Sequence, residues 1–287
     1  MSEPQLLSAY AGHWTGTGTG VTVIVPPPGT VGAGEVRGGA PATREFALLD
    51  PVRLVDRVDA VVLSGGSAFG LAAGDGVMNL LRELGAGLPT PLGPVPIVVG
   101  MSIFDGTVAG GPPDAVSGRR AVLDALSGAA FTTGAVGAGT GAVTGTWRHR
   151  RDPGGLGVAR GTAGTATVIA VVVVNAWGDV LGEDGRPIFG DEGAAGPPAK
   201  PFGRAHTTIG VLLTDARLAK ADCYLLAQSG HTGFARAIHP AHSRYDGDAV
   251  VALATGEVEG ADLDLLRAVA ADVTAQAIRS AVGRRPD

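Results

Sequence analysis

Thr167–Val174 reads TVIAVVVV, a near-continuous aliphatic and β-branched run that ends at Asn175. It falls far short of the roughly 18 residues needed to span a bilayer. It also lacks the polar alternation of a strand with one wet face, so it reads as a strand buried on both faces. A chain that must hide both faces of a strand has to place a further layer on each side of its sheet. Other segments can supply those layers. Val21–Val25 (VTVIV) is a strand stopped hard by Pro26, Pro27 and Pro28. Val58–Leu63, Pro96–Val99, Thr207–Leu213 (TTIGVLL) and Ala249–Ala254 read as further strands.

Helices lie between them. Phe69, Ala73, Val77, Leu80, Leu81 and Leu84 recur at i+3/i+4 spacing and predict one apolar face, with Ser67 as N-cap and Gly85 as C′ stop. Asp215 is expected to cap a helix through Leu218, Ala221, Leu225 and Leu226 that ends near Gly230. Asp262–Val282 carries Leu266, Val269, Ala270, Val273, Ala277 and Ala281 on one stripe. Strands and helices are mixed throughout, with no repeat and no break in composition. The expectation is one α/β domain of stacked layers over residues 1–287.

Composition narrows the function. Glycine makes up 47 of 287 residues, about 16% against roughly 7% in average usage, without a Gly-X-Y period. It concentrates in Ser64–Gly70 (SGGSAFG) and Gly134–Gly145 (GAVGAGTGAVTG), where backbone must approach something closely. Gly178–Ala205 is polar, Gly/Pro-rich and weakly periodic, and reads as a long exposed loop. A net charge of −5 argues against a nucleic-acid partner, which needs a basic stripe. The single cysteine, Cys223, cannot form an internal disulfide and fits a reducing cytosol. The N-terminus (MSEPQLLSAYAGHW) has neither a basic start nor a long apolar run, so no signal peptide is read there. A cytoplasmic protein with no membrane partner is expected.

Local motifs taken singly are weak. SGGSAFG would suit an anion at a helix N-terminus. It matches neither GxGxxG nor the Walker pattern, lacks a following Lys, and lacks the GxSxG spacing of a hydrolase elbow, so a structural turn outweighs a phosphate cradle. The six histidines show no HExxH or paired spacing, so neither a metal site nor a cofactor is expected. Asp246-Gly247-Asp248 reads as a solvated turn or a loose calcium pair. Thr207 opening a strand is ordinary β-propensity, and Asn175 is an ordinary strand-end amide. The residues alone stop at an α/β protein with a glycine-lined pocket.

Taken together, several runs go further. GGAPATRE (Gly38–Glu45), Leu48–Leu84, Asn175-Ala176, TTIGVLLTD (Thr207–Asp215) and DGDAVVALAT (Asp246–Thr255) resemble the L-aminopeptidase/D-esterase family, which includes the β-peptidyl aminopeptidases and nylon-oligomer hydrolases. The resemblance runs in order from about Trp14 to near the C-terminus. It implies an α-β-β-α layered sandwich akin to N-terminal-nucleophile hydrolases. It further implies self-cleavage before a Ser or Thr that opens a strand, here Thr207, giving residues 1–206 and 207–287.

By the same resemblance Thr207 is the nucleophile and Asn175 an oxyanion donor, while Asp246 and Asp248 orient nucleophile and amine. Gly65, Gly66, Phe104, Gly139 and Thr146 fall at substrate-binding positions. The substrate class is a small peptide, amide or ester, and a homo-oligomer is expected. Three departures stand out: His206 where many relatives have Asn, Thr146 where several have Lys, and Phe104 where some have Tyr. They favour the alternative reading, an uncleaved degenerate relative acting as a small-molecule binding or structural protein. A nucleotide-binding protein is a third reading, resting on SGGSAFG alone.

Overall fold

A computed structural model describes residues 5–191, 193 and 206–283. Two five-stranded sheets lie face to face. The first runs in the order β1 (Tyr10–Thr15), β2 (Gly20–Val25), β5 (Ala60–Ser64), β6 (Val98–Ser102) and β4 (Thr43–Arg44). The second runs β3 (Val31–Val36), β14 (Ala249–Val258), β12 (Thr207–Ala216), β10 (Ala166–Asn175) and β9 (Gly155–Ala163). Two short antiparallel pairs accompany them, β7 (Val143–Thr144) with β8 (Asp152–Pro153) and β11 (Asp179–Val180) with β13 (Ile238–His239).

The valine run forms β10, and its two faces serve different cores. Ile169, Val171 and Val173 point between the sheets, against Leu63, Val99 and Met101 of the first. Val168, Ala170, Val172 and Val174 point the other way, against the helices α4 (Lys220–Ala237) and α5 (Leu263–Ala281). Each fully buried side chain of this kind contributes about 1.5–3 kcal/mol. A third core packs α2 (Ala73–Glu83) and α3 (Ala115–Ser127) on the outer face of the first sheet. The result is the α-β-β-α sandwich.

Several element ends differ from expectation. The helix expected from Ser67 is two pieces, α1 (Ser67–Gly70) and α2, and Ser67 has a positive φ of 55° instead of capping. Phe69 and Leu84 are exposed, outside the buried stripe of Val77, Leu80 and Leu81. Gly85 does sit just beyond α2 with φ 75°. Asp215 caps no helix: β12 continues to Ala216, and Asp215 Oδ1 accepts the Thr167 N–H at 2.7 Å across the sheet. α4 runs through Gly230 to Ala237. Asp262 caps α5, accepting from Leu265 N at 2.9 Å. The expected loop Gly178–Ala205 contains β11 and a bridge from Leu181 to Pro187; residues 192 and 194–205 lie outside the described residues.

Topology sets the site. β10 and β12 pair antiparallel, so that Asn175 at the end of one faces Thr207 at the start of the other. β14 pairs parallel to β12, which brings the loop before it, residues 246–248, to the same end.

Candidate active site

Thr207 is buried at the first position of β12. Its hydroxyl Oγ1 donates to the carbonyl oxygen of the preceding residue, His206, at 2.5 Å. That same oxygen accepts the Gly247 N–H at 2.9 Å, while His206 N donates to Tyr245 O at 3.1 Å. Glycine at 247 makes the approach feasible, because a Cβ there would stand 2.6 Å from Thr207 Oγ1 and 2.7 Å from Ala40 O. A hydroxyl and a peptide carbonyl are thus held together, with a backbone donor on the oxygen that would carry charge during attack.

Asn175 is fully buried beside them. Its Oδ1 accepts from Val143 N at 3.0 Å and its Nδ2 donates to Phe104 O at 3.1 Å. An amide nitrogen has two N–H donors, so the Phe104 contact uses one of them. Through this bond Phe104 joins the site by its main chain, which asks nothing of the ring.

The two carboxylates are tied into the loop that faces Thr207. Asp246 Oδ1 accepts from Trp177 N at 3.2 Å, and Oδ2 accepts from Ser243 N at 3.0 Å and Ser243 Oγ at 2.5 Å. Asp248 Oδ1 accepts from Thr208 N at 2.8 Å. Its Oδ2 accepts from His242 N at 3.1 Å and meets His242 Nδ1 at 2.9 Å. Both are buried side chains, so the solvated-turn and calcium-pair readings of Asp-Gly-Asp do not hold. Burial first, and then the nearby Asp248 charge, push the Asp246 carboxyl up to about 7 against the pull of its hydrogen bonds. For His242, burial works to lower the pKa. The Asp248 hydrogen bond and charge, with the His231 carbonyl, outweigh it and leave the imidazole above its ordinary value. His231 behind it is driven down to about 3, mainly by desolvation, and is neutral.

Thr146 joins the same cluster, its Oγ1 lying 2.7 Å from His206 Nε2. The glycine turns lie further out. Gly65 packs against Asp105 and Thr19, and Gly66, with φ 80°, against Pro112 and Pro113. A Cβ on Gly65 would lie 1.8 Å from Asp105 Oδ2; a carboxylate there repels phosphate, which removes the nucleotide reading of SGGSAFG. Gly139 packs against the backbone of Gly134, Gly155 and Leu156. Among the described residues no group of three or more His, Cys, Asp or Glu is arranged to hold a metal ion, and no helix is long and apolar enough to cross a membrane.

Gly247, Ser243 and His242 were not read from the sequence as site residues. Gly247 carries a signal only in retrospect, as the glycine between two buried acids. His242 lies six residues before Asp248 in an irregular loop, where no periodicity connects them.

An α-β-β-α sandwich with a hydroxyl residue opening a central strand, opposite a strand-end Asn, is an N-terminal-nucleophile-like architecture. Comparison with known proteins agrees. The family model for peptidase family S58 matches residues 7–284. An uncharacterized aminopeptidase of Mycobacterium leprae is 46% identical over 268 residues, covering 85% of this chain and 73% of that protein. A 6-aminohexanoate-oligomer endohydrolase of Agromyces is 30% identical over 276 residues, 88% of this chain and 74% of the enzyme. Among solved structures, a β-aminopeptidase of Burkholderia superposes with a TM-score of 0.73 at 24% identity, covering 95% of this chain and 83% of that one. The L-aminopeptidase D-Ala-esterase/amidase of Ochrobactrum anthropi, described as a variant of the Ntn-hydrolase fold, gives 0.73 at 20% identity over 98% and 86%. The chain belongs to peptidase family S58 and is a hydrolase acting on peptide or amide bonds. The degenerate-relative alternative is not favoured.

Proposed function

We propose that the chain cuts its own His206–Thr207 bond and that the freed Thr207 then hydrolyses small peptides, amides or esters. The observation that carries this reading is the Thr207 hydroxyl resting 2.5 Å from the His206 carbonyl oxygen, with the Gly247 N–H on the same oxygen. In the first reaction Oγ adds to the His206 carbonyl carbon. The oxygen becomes an oxyanion that the Gly247 N–H stabilises. The C–N bond then breaks, Thr207 N takes up the proton given by Oγ, and an ester links the two pieces. Water hydrolyses that ester, leaving a His206 carboxylate, a free Thr207 hydroxyl and a free α-amine.

The second reaction uses that amine. Its ordinary pKa of about 7.7–8.0 lies near neutral pH, so it accepts the hydroxyl proton as Oγ attacks a substrate carbonyl. The leaving amine departs with the proton, and water resolves the acyl-enzyme to the product acid. Asn175, facing Thr207 in the sheet, donates to the substrate oxyanion. Asp246 and Asp248 hold the loop that faces the nucleophile and place negative charge where a substrate ammonium would lie. Phe104 and Thr146, bonded to Asn175 and His206, flank the substrate, and Gly65 and Gly66 back the segment that carries Phe104.

Relatives that are an aminopeptidase and a 6-aminohexanoate-oligomer endohydrolase support short amides as the substrate class. A homo-oligomer is the assembly that the family resemblance implies. The lone buried Cys223 supports a reducing, cytoplasmic setting. The test is turnover of amino-acid p-nitroanilides. Wild-type protein is expected to hydrolyse them and Thr207→Ala is not; equal rates would remove Thr207 from the mechanism.

A further inference from the structure

We propose that Thr146 is a positioning residue for self-cleavage: its hydroxyl fastens the His206 ring and thereby fixes the carbonyl that Thr207 attacks. The proposal rests on the self-cleavage reading above. His206 and Thr146 are both buried, sixty positions apart in sequence, and meet at 2.7 Å. The backbone of His206 is held by Tyr245 O and Gly247 N of the acidic loop. Its ring meets Thr146, which comes from a different part of the chain.

Thr146 is itself well anchored. It opens a 3₁₀ turn, Thr146–Arg148, directly after Gly145 with φ 73°. Gly145 N donates to Gly178 O at 2.9 Å and Trp147 N to Trp177 O at 3.0 Å. The Trp147 indole N–H and Arg148 Nε both reach Asp179 Oδ2, at 2.8 and 2.7 Å. The turn is therefore pinned to residues 177–179, the direct continuation of the strand that ends in Asn175. The Thr146–His206 contact ties the acyl side of the scissile bond to the element carrying the oxyanion amide.

No proton passes through Thr146 in this account. In the step it serves, the Oγ–C bond forms and the C–N bond breaks, with the Oγ proton ending on Thr207 N. What Thr146 supplies is alignment. Reacting atoms must be held at about 3–3.5 Å with the correct approach, and an error near 1 Å costs about 10²-fold. Releasing the His206 ring removes a side-chain restraint on the residue that carries that carbonyl.

Pulsed cell-free synthesis of the full chain, followed by denaturing electrophoresis, measures the rate at which precursor becomes two pieces. Thr146→Val is expected to slow conversion by about 10- to 100-fold, while Thr146→Ser, which keeps the hydroxyl, stays within a few-fold of wild type. Thr146→Val combined with His206→Leu should be no slower than the slower single variant, because both remove one contact. Thr146→Val placed in the uncleavable Thr207→Ala chain should lower the melting temperature by only the few degrees that one lost buried hydrogen bond costs. Conversion of Thr146→Val at the wild-type rate, failure of Thr146→Ser to restore it, full additivity in the double variant, or loss of cooperative folding in the Thr146→Val/Thr207→Ala chain would each overturn the assignment. A wild-type chain that never converts would instead refute the self-cleavage reading beneath it.

Discussion

β12 has a threonine near each end, and the two ends do different things. At the far end, Thr214 Oγ1 accepts the Ala216 N–H at 3.2 Å, and Asp215 receives the Thr167 N–H at 2.7 Å. Hydroxyl and carboxylate there satisfy backbone donors around the register shift between Thr214 and Ala216. At the near end the Thr207 hydroxyl is a donor, directed at a carbonyl that already accepts from Gly247. Its neighbouring carboxylates come from another loop, where burial first, and then the Asp248 charge, push Asp246 up to about 7. Both threonines are buried strand residues. What separates them is the group each hydroxyl faces: an N–H that needs an acceptor in one case, an activated peptide carbonyl in the other.

The largest predicted effect exchanges the two threonines as targets. Thr207→Ala should abolish both self-cleavage and turnover, and Thr207→Ser should keep both because the hydroxyl remains. Thr214→Val should still yield two chains, at a stability cost of about 1 kcal/mol for the lost hydrogen bond. If Thr214→Val blocks cutting as completely as Thr207→Ala, the contrast between the ends is wrong.

Next comes Asn175→Ala, expected to lower kcat by about 10²–10³, as loss of one oxyanion donor does elsewhere. It also frees Phe104 O and Val143 N, so thermal stability is to be read alongside the p-nitroanilide rate. Turnover at the parental rate would remove Asn175 from the oxyanion site.

Asp246→Asn and Asp248→Asn should cost about tenfold on substrates with a free α-amine and less on N-blocked esters, because an amide cannot pair with ammonium. Equal losses on both substrates would assign these residues to the loop or the catalytic amine. Asp246 also has a pH signature. Its folded pKa is raised, so the folded chain binds that proton more tightly than the unfolded one. The stability this gives is complete below the ordinary 3.8 and is lost as pH rises through about 7. In the uncleavable Thr207→Ala chain, Asp246→Asn should flatten the fall in melting temperature across that window.

The smallest effect belongs to His242. Its pKa is raised, so it stabilises the fold fully below its ordinary 6.5 and loses that contribution as pH rises through the raised value. His242→Gln should reduce the gain in melting temperature on moving the uncleavable chain from alkaline to mildly acid pH. An unchanged profile would mean the Asp248 contact carries no net charge pairing.

The layers were legible where residue pattern and burial coincide. The valine run of β10 announces two buried faces, and both are buried. α4 was not legible to its end, because Gly230 reads as a stop signal, and Gly233 follows it within the helix. They are packing glycines: a Cβ on Gly230 would meet Val250 at 2.9 Å, and one on Gly233 would meet Thr274 at 2.5 Å. Asp215 resembles a helix cap for want of any local sign that Thr167, 48 positions away, needs an acceptor. At the site, Thr207 and Asn175 carry no signal in their own neighbourhoods. Only a family resemblance singles them out, and only strand register brings them opposite each other. Gly247, Ser243 and His242 depend on the path of one irregular loop, which no periodicity encodes.

The central claim is that Thr207 becomes a chain terminus. The intact mass of purified wild-type protein tests it most directly. The account predicts two species, residues 1–206 and a smaller piece beginning Thr-Thr-Ile-Gly at Thr207. One species at the mass of the whole chain, in a preparation that hydrolyses amides, would contradict it.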